Sequence, residues 1–387
     1  MRLGITCYPT YGGSGAVATE LGIELARRGH EVHFVSYEQP FRLTSYHEGI
    51  YFHEVEMMPY PLFEHPPYSL ALAVTMHEVA RDQDLELFHV HYALPHATSA
   101  WIAKTMLRAE GRDVQIVTTL HGTDITLVGQ DPSYRSIIKF SIEQSDGLTA
   151  VSDWLREETY DAFDCPDVPI RVIPNFIDPD VYDRDRYPCH RDVLAPEGER
   201  IVMHISNFRE VKRVSDVVRI FARVARRTPA RLVMIGDGPE RHRAEETAKA
   251  EGVRDQVAFL GKLESVAELL ACADLLLLPS TEESFGLVAL EAMATGVPVV
   301  GTSGSGLAEV VEDGVTGRLH PVGDIEAMAA SGQELLGDPD VWNTYSQRGR
   351  ERASELFAAD RVVPRYEAYY RSVLGERDPE ERRAASP

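Results

Sequence analysis

Residues 275–300 read LLLLPSTEESFGLVALEAMATGVPVV. The leucine run, closed by Pro279, has the length of a strand and suits one buried on both faces. A polar turn follows. Phe285-Gly286 then opens an apolar helical stretch that stops at Gly296 and Pro298, and a β-branched run makes the next strand. Strand, helix and strand in so short a span predict a parallel pair with a crossover helix. Two carboxylates bracket the turn. Glu283 precedes the helix, and Glu291 lies about a turn and a half inside it, near enough in azimuth to share a face. Gly286 lets a ligand approach the backbone, and the free amides of the first turn suit a diphosphate or sugar hydroxyls. A carboxylate at a helix start is often only a cap. Two of them around a glycine-opened turn fit another task, accepting hydrogen bonds from neutral hydroxyls such as those of a sugar and a ribose.

The same alternation runs through both halves. Strands are expected near 2–8, 31–37, 51–57, 86–92, 114–120, 147–151 and 170–173, then near 200–206, 231–236, 256–260, 274–279, 297–301 and 316–320. Helical patterns between them, as at 15–28, 69–81, 97–108 and 134–144, predict an α/β protein with two doubly wound, Rossmann-like domains. The expected domains are 1–172 and 200–358. The proline- and aspartate-rich stretch at 175–188 falls in the natural linker, 173–199. A last helix near 360–374 carries Tyr366, Tyr369 and Tyr370 at helical spacing. It has two open uses, packing back on the first domain or forming a homodimer contact. The tail, 375–387, is expected to be disordered.

The 387 residues carry a net charge of −22, with 44% hydrophobic and 26% charged residues. That balance is globular and argues against a nucleic-acid or anionic-membrane binder, which needs a broad positive surface. No apolar run reaches membrane-spanning length, and RLGITCY at the start enters a strand with no signal-peptide pattern. Cys7, Cys165, Cys189 and Cys272 are scattered, without a CxxC. The expectation is a cytoplasmic protein without disulfides.

Ligands of open α/β sheets bind beyond the carboxyl ends of the strands, so with two such domains the cleft between them is the expected site. The first strand ends in CYPTYGGSGAV, where Gly13 and Gly15 open a helix and Ser14 is a candidate cap; a plain tight turn is an equal reading. HVHYALPH places Tyr92 at a strand end. TLHGTD does the same for His121 and Thr123, although a structural histidine is the commoner use of such a residue. His89, His91, His96 and His121 together raise a metal site, weakly, because no carboxylate or cysteine stands at ligand spacing. ISNFREVKR gathers Arg209, Lys212 and Arg213 in an otherwise acidic chain, which favours a phosphate clamp over a solvated turn. GDGPE at 236–240 opens another helix, and backbone at Gly261 is placed to pair with a nucleobase.

EESFGLVALEAMATGVPVV, with the glycine-rich first turn, HGTD, FREVKR, GDGPE and GVPVV in order, resembles the retaining family-4 glycosyltransferases of GT-B fold over nearly the whole chain. GITCYPTYGGSGAVATELG, GHEVHFVS, PFRL, HVHYALPHA, TLHGTDIT and FSIEQSDGLTAVS are similar to one branch, whose members move N-acetylglucosamine from UDP-GlcNAc to the hydroxyl of L-malate at the start of bacillithiol biosynthesis. The resemblance implies roles. Glu291 would take the donor ribose. Glu283 and the backbone of Ser284, Phe285 and Gly286 would hold the sugar. Lys212 would hold the diphosphate, Gly13 and Gly15 would admit the phosphate, and His121 would meet a sugar oxygen. The family's arginine, five positions before the lysine, falls on Asn207, so Arg209 is expected to supply that charge. Ser14, Tyr92, Thr123 and Lys139 would bind malate, Lys139 as the cation for its carboxylates. Such transfer needs no protein nucleophile, no cofactor and no divalent metal; DPD at 178–180 lies in the linker. The alternatives are another small or phosphorylated acceptor, a UDP-sugar epimerase or hydrolase, and a non-catalytic nucleotide-sugar sensor.

Overall fold

The computed structural model describes residues 1–9, 12–57 and 66–376. Most of the tail expected to be disordered, and Thr10 and Tyr11 of the glycine-rich turn, lie outside the described residues.

The chain forms two compact units. The first comprises Met1–Pro174 and the chain from Val362. Its strands are β1 (Arg2–Thr6), β2 (Glu31–Ser36), β3 (Ile50–Glu54), β4 (Leu87–His91), β5 (Gln115–Leu120), β6 (Gly147–Ala150) and β7 (Ile170–Val172). They make one seven-stranded sheet in the order β3-β2-β1-β4-β5-β6-β7, and every pairing is parallel. The second unit, Asn175–Arg361, holds β8 (Arg200–Ile205), β9 (Ala230–Ile235), β10 (Val257–Gly261), β11 (Leu275–Leu278), β12 (Val299–Thr302) and β13 (Gly317–His320). Their order is β10-β9-β8-β11-β12-β13, again all parallel.

Each order reverses direction once, between β1 and β4 and between β8 and β11. These are the switch points at which an open α/β sheet leaves a crevice. Thirteen expected strands are present, because runs such as LLLL are buried on both faces and cannot be satisfied as surface loops: Leu275, Leu276 and Leu277 are wholly buried. Helix Val214–Ala225 shows how the layers close. Val214, Val217, Val218 and Phe221 fall on one stripe and bury against Val202, Leu232 and Leu275. Each such side chain contributes about 1.5–3 kcal/mol on leaving water.

The C-terminal helix, Ala359–Val373, settles the use of its tyrosines. Tyr366 and Tyr370 are wholly buried. The Tyr370 hydroxyl lies 2.7 Å from Nδ1 of His89, and Tyr369 donates to the Leu148 carbonyl and accepts from its N–H. Buried inside the first unit, Tyr366 and Tyr370 are not available for a homodimer contact.

Two expectations need correction. The stretch assigned to the linker is built into the second unit. Tyr182 is buried, Arg184 donates to the Ala273 carbonyl and lies 5.1 Å from the Trp342 ring centroid, and Arg191 pairs with Asp274. Polar composition suggested a free connector, but these arginines find buried carbonyl and carboxylate partners. The cysteines are not all free either. Cys189 and Cys272, 83 positions apart, are joined in a disulfide with Cα atoms 5.2 Å apart, while Cys7 and Cys165 remain thiols. The absence of disulfides therefore no longer supports a cytoplasmic location. No helix among the described residues is long and apolar enough to cross a membrane.

Candidate active site

In the second unit, the β8 and β11 loops meet at the switch point. Lys212 Nζ donates to Glu283 Oε1 at 2.7 Å, and the Ser280 hydroxyl donates to the same oxygen at 2.8 Å. The Thr281 N–H donates to the Val211 carbonyl at 2.8 Å, so the basic turn and the carboxylate turn are bound by backbone as well as by charge. Phe208 and Arg213 on either side of the basic turn have left-handed φ values of 41° and 48°, a local strain that surrounding structure must impose. Arg213 is committed to Asp216. Arg209 is exposed, and its guanidinium has no ion-pair partner among the described residues. Asn207 is exposed too, and its carbonyl packs so closely on Gly238 that a Cβ there would lie 2.1 Å away. Of the three bases expected to form a clamp, Arg213 is committed to its own helix, which leaves Lys212 and Arg209 as the candidates.

Gly286 caps helix Leu287–Ala294 at φ 93°, where a Cβ would also approach Leu307 to 2.7 Å. The amides opening this helix are the positive end of its dipole. Ser284 flanks them, and Gly306 packs on its carbonyl. Phe285 is buried edge-on against Phe357, with centroids 5.7 Å apart. Its ring anchors the turn, and only its backbone is left for a ligand. Gly261 has its carbonyl taken by the Gly236 N–H at 2.7 Å.

Glu291 is 3% exposed and accepts from the Tyr182 hydroxyl. Tyr182 is a site neighbour that the sequence reading placed in the linker; only the folded course of 175–194 reveals it. A tyrosine bonded to a buried carboxylate fixes its rotamer and leaves fewer conformations to freeze on ligand binding. Tyr182→Phe should therefore weaken binding of a nucleotide ligand about three- to tenfold, the value of one hydrogen bond. Calorimetric titration with UDP measures it.

In the first unit, the residues gathered at the ends of β1, β4 and β5 are Ser14, Tyr92, His121 and Thr123. Helix Gly13–Arg27 is capped by Gly12. Ser14 is therefore not the cap; it lies inside the helix, with Gly13 exposed and Gly15 buried. Burial raises the Tyr92 phenol to about 12, against hydrogen bonds with Ser14 and Thr123. Tyr92 itself has φ 82°, a costly conformation for a non-glycine residue. Asp124, which the sequence reading passed over, holds this arrangement. It accepts from the N–H groups of His121 and Gly122 at Oδ1 and of Ala93 at Oδ2, at 3.3, 3.0 and 3.1 Å. Burial pushes its carboxyl up to about 6 against those bonds.

The four histidines contact one another or protein neighbours. His91 Nδ1 lies 2.7 Å from His121 Nε2, His96 Nδ1 meets the His91 carbonyl, and His89 meets Thr119 and Tyr370. Burial lowers all four, His89 and His121 to about 3 and His96 to about 4. Among the described residues no group of three or more His, Cys, Asp or Glu is placed to hold a metal. In the DPD stretch, Asp178 accepts from the Asp180 N–H, a turn contact.

Lys139 is spent elsewhere. Its ammonium donates to the carbonyls of Phe163 and Asp164, at 2.7 and 3.0 Å, and lies 3.7 Å from Glu143. It closes the end of helix Asp153–Phe163, whose terminal carbonyls attract a cation. Sequence spacing cannot distinguish this use from ligand binding.

Residues 11–181 match the model of Glycosyltransferase Family 4, and residues 187–352 match that of glycosyl transferases group 1. An N-acetyl-alpha-D-glucosaminyl L-malate synthase of Bacillus anthracis is 49% identical over 375 residues, covering 97% of each chain. The chain belongs to the family-4 glycosyltransferases. Among solved structures, Anabaena HepE in complex with UDP-glucose aligns with a TM-score of 0.79 at 20% identity, over 96% of this chain and all of that one. Sucrose-phosphate synthase from Thermosynechococcus elongatus aligns at 0.77 and 23% identity, over 97% and 99%. These two show the shared GT-B fold. In this glycosyltransferase, the two carboxylates that bracket the Gly286 turn each have a structural partner, Lys212 for Glu283 and Tyr182 for Glu291.

Proposed function

We propose that this glycosyltransferase moves N-acetylglucosamine from UDP-GlcNAc to the hydroxyl of L-malate, with retention, as the first step toward bacillithiol. The observation that carries this reading is the 49% identity to the Bacillus anthracis synthase across 97% of both chains, which spans the first-unit loops as well as the second-unit turn that holds Glu283 and Glu291.

Glu291 takes the ribose hydroxyls, with Tyr182 holding its carboxylate. Glu283 and the backbone at 284–286 take the sugar hydroxyls. Lys212 leaves Glu283 for the diphosphate, joined by Arg209 and the helix amides at Gly286. The sugar C1–O bond to the diphosphate breaks as the malate oxygen bonds to C1 from the same face. The malate proton passes to the departing phosphate oxygen. No protein nucleophile is formed, so the carboxylates bind and do not attack. Positive groups aimed at the leaving diphosphate stabilise charge as it develops and supply what a divalent ion would, so turnover proceeds without one.

With Lys139 capping a helix, the malate carboxylates fall to other groups. The amides at Gly13–Gly15 form the positive start of a fifteen-residue helix, and Ser14, Tyr92 and Thr123 supply hydroxyls. The reaction is assigned to the cytoplasm on this reading. Its test is incubation of UDP-GlcNAc with malate or with other hydroxy acids and sugar phosphates. The product's anomeric configuration is then read by NMR. An α-glycoside of malate supports the assignment; a β-product, or preference for a sugar phosphate, overturns it.

A further inference from the structure

One histidine of the cluster has no role above. His91 is wholly buried, and its Nδ1 stands 2.7 Å from Nε2 of His121. The two rings are inclined by 25° with centroids 5.0 Å apart, the geometry of two imidazoles hydrogen-bonded edge to edge. The other nitrogen of His91, Nε2, is buried without a hydrogen-bond partner. His121 Nδ1 has no partner among the described residues, and this ring is partly exposed.

Burial keeps both rings neutral, so each has one N–H and one lone pair. A single proton lies between them, and its owner decides what His121 shows to a ligand. If His121 Nε2 holds it, His121 Nδ1 is an acceptor, and His91 buries an N–H with nothing to receive it. If His91 Nδ1 holds it, His91 buries only a bare lone pair, and His121 must carry its proton at Nδ1. Unpartnered buried N–H groups are the rarer and costlier defect. His96 shows which defect this pocket accepts. Its Nδ1 meets the His91 carbonyl, which can only accept, so the unpartnered Nε2 of His96 is a lone pair. His89 is already engaged by Tyr370 and Thr119.

We infer that His91 is a positioning residue, donating Nδ1–H to His121 and fixing it in the tautomer that presents an N–H at Nδ1. That donor suits a sugar hydroxyl or amide carbonyl oxygen and would repel another donor. The inference rests on the reading that His121 contacts the transferred sugar, but the proton's position can be measured with no substrate present.

The experiment is long-range proton–nitrogen NMR on histidine-labelled protein, with steady-state kinetics on the same samples. Wild type should show His121 protonated at Nδ1. His91→Leu should shift His121 to a mixture of tautomers and lower kcat about tenfold, the loss of one well-placed hydrogen bond. His91→Asn, whose amide can place an N–H near the former Nδ1, should restore the tautomer and most of the rate. A wild-type His121 protonated at Nε2 overturns the inference. So does an unchanged tautomer in folded His91→Leu. Wild-type protein that is inactive with malate contradicts the acceptor assignment alone, since the spectra are read without it.

Discussion

Replacing Lys212 by methionine should lower kcat by about 10²–10³-fold, the usual cost of removing one preorganised group that stabilises developing charge. Its effect on folding should be smaller. The Lys212–Glu283 pair keeps 20% and 12% side-chain exposure, and Glu283 retains the Ser280 hydroxyl when the lysine is gone. Breaking a fully buried pair costs about 3–5 kcal/mol; here the remaining exposure and the Ser280 hydrogen bond reduce that cost. With Lys212 in its proposed role on the diphosphate, catalysis should carry the larger penalty. Arg209 is exposed, so Arg209→Ala should cost less than Lys212→Met. Thermal melts beside initial rates separate the two effects. Equal loss of stability and rate would show that Lys212 serves the fold and not the leaving group.

Asp124→Asn should be damaging in a different way. The carboxylate accepts N–H bonds from two loops with both oxygens. An asparagine offers one accepting oxygen, and its NH2 would face a backbone donor. A buried donor left without an acceptor costs about 1–3 kcal/mol. The strained Tyr92 turn, itself worth about 1–3 kcal/mol, would then relax. Displacement of His121 and Tyr92 by about an ångström can cost about 10²-fold in rate, so kcat/KM should fall by about that factor. Wild-type kcat/KM should also fall as pH drops through about 6, where Asp124 gains a proton and loses an accepting site. His121, lowered to about 3, stays neutral across that range. Stability moves the opposite way. The native carboxyl keeps its proton to about 6, whereas its ordinary value is 3.8, so the folded state binds more protons between those values. This group's contribution to stability therefore falls as pH rises from about 4 to 6 and is level above. A pH–rate profile of both proteins, with melts at pH 4.5 and 7, checks each sign.

These two residues mark how far a linear reading reaches. Both sheets were legible because parallel strands buried on both faces demand continuous apolar runs, and Leu275–Leu278 cannot be anything else. Gly286 and the two glutamates were legible because a strand end, a left-handed glycine and a helix start fall within one short window. Partners from distant segments were not. Tyr182 stands 109 positions from Glu291, in a stretch whose composition reads as connector. Lys139 is a cation at a plausible spacing, and only the arrival of the helix ending at Phe163 shows where its charge goes. Asp124 was visible in HGTD, yet nothing in four letters reveals that its carboxylate binds the turn after β4. The Cys189–Cys272 pair has the same character, since each residue alone is an unremarkable lone cysteine.

The most direct measurement is UDP release from UDP-GlcNAc, with and without L-malate, in buffer containing EDTA. The account predicts release that depends on malate, equals the glycoside formed, and is undiminished by the chelator. Equal release with and without malate would contradict the transfer reaction, and restoration of activity only by a divalent ion would contradict the role given to Lys212 and the helix at Gly286.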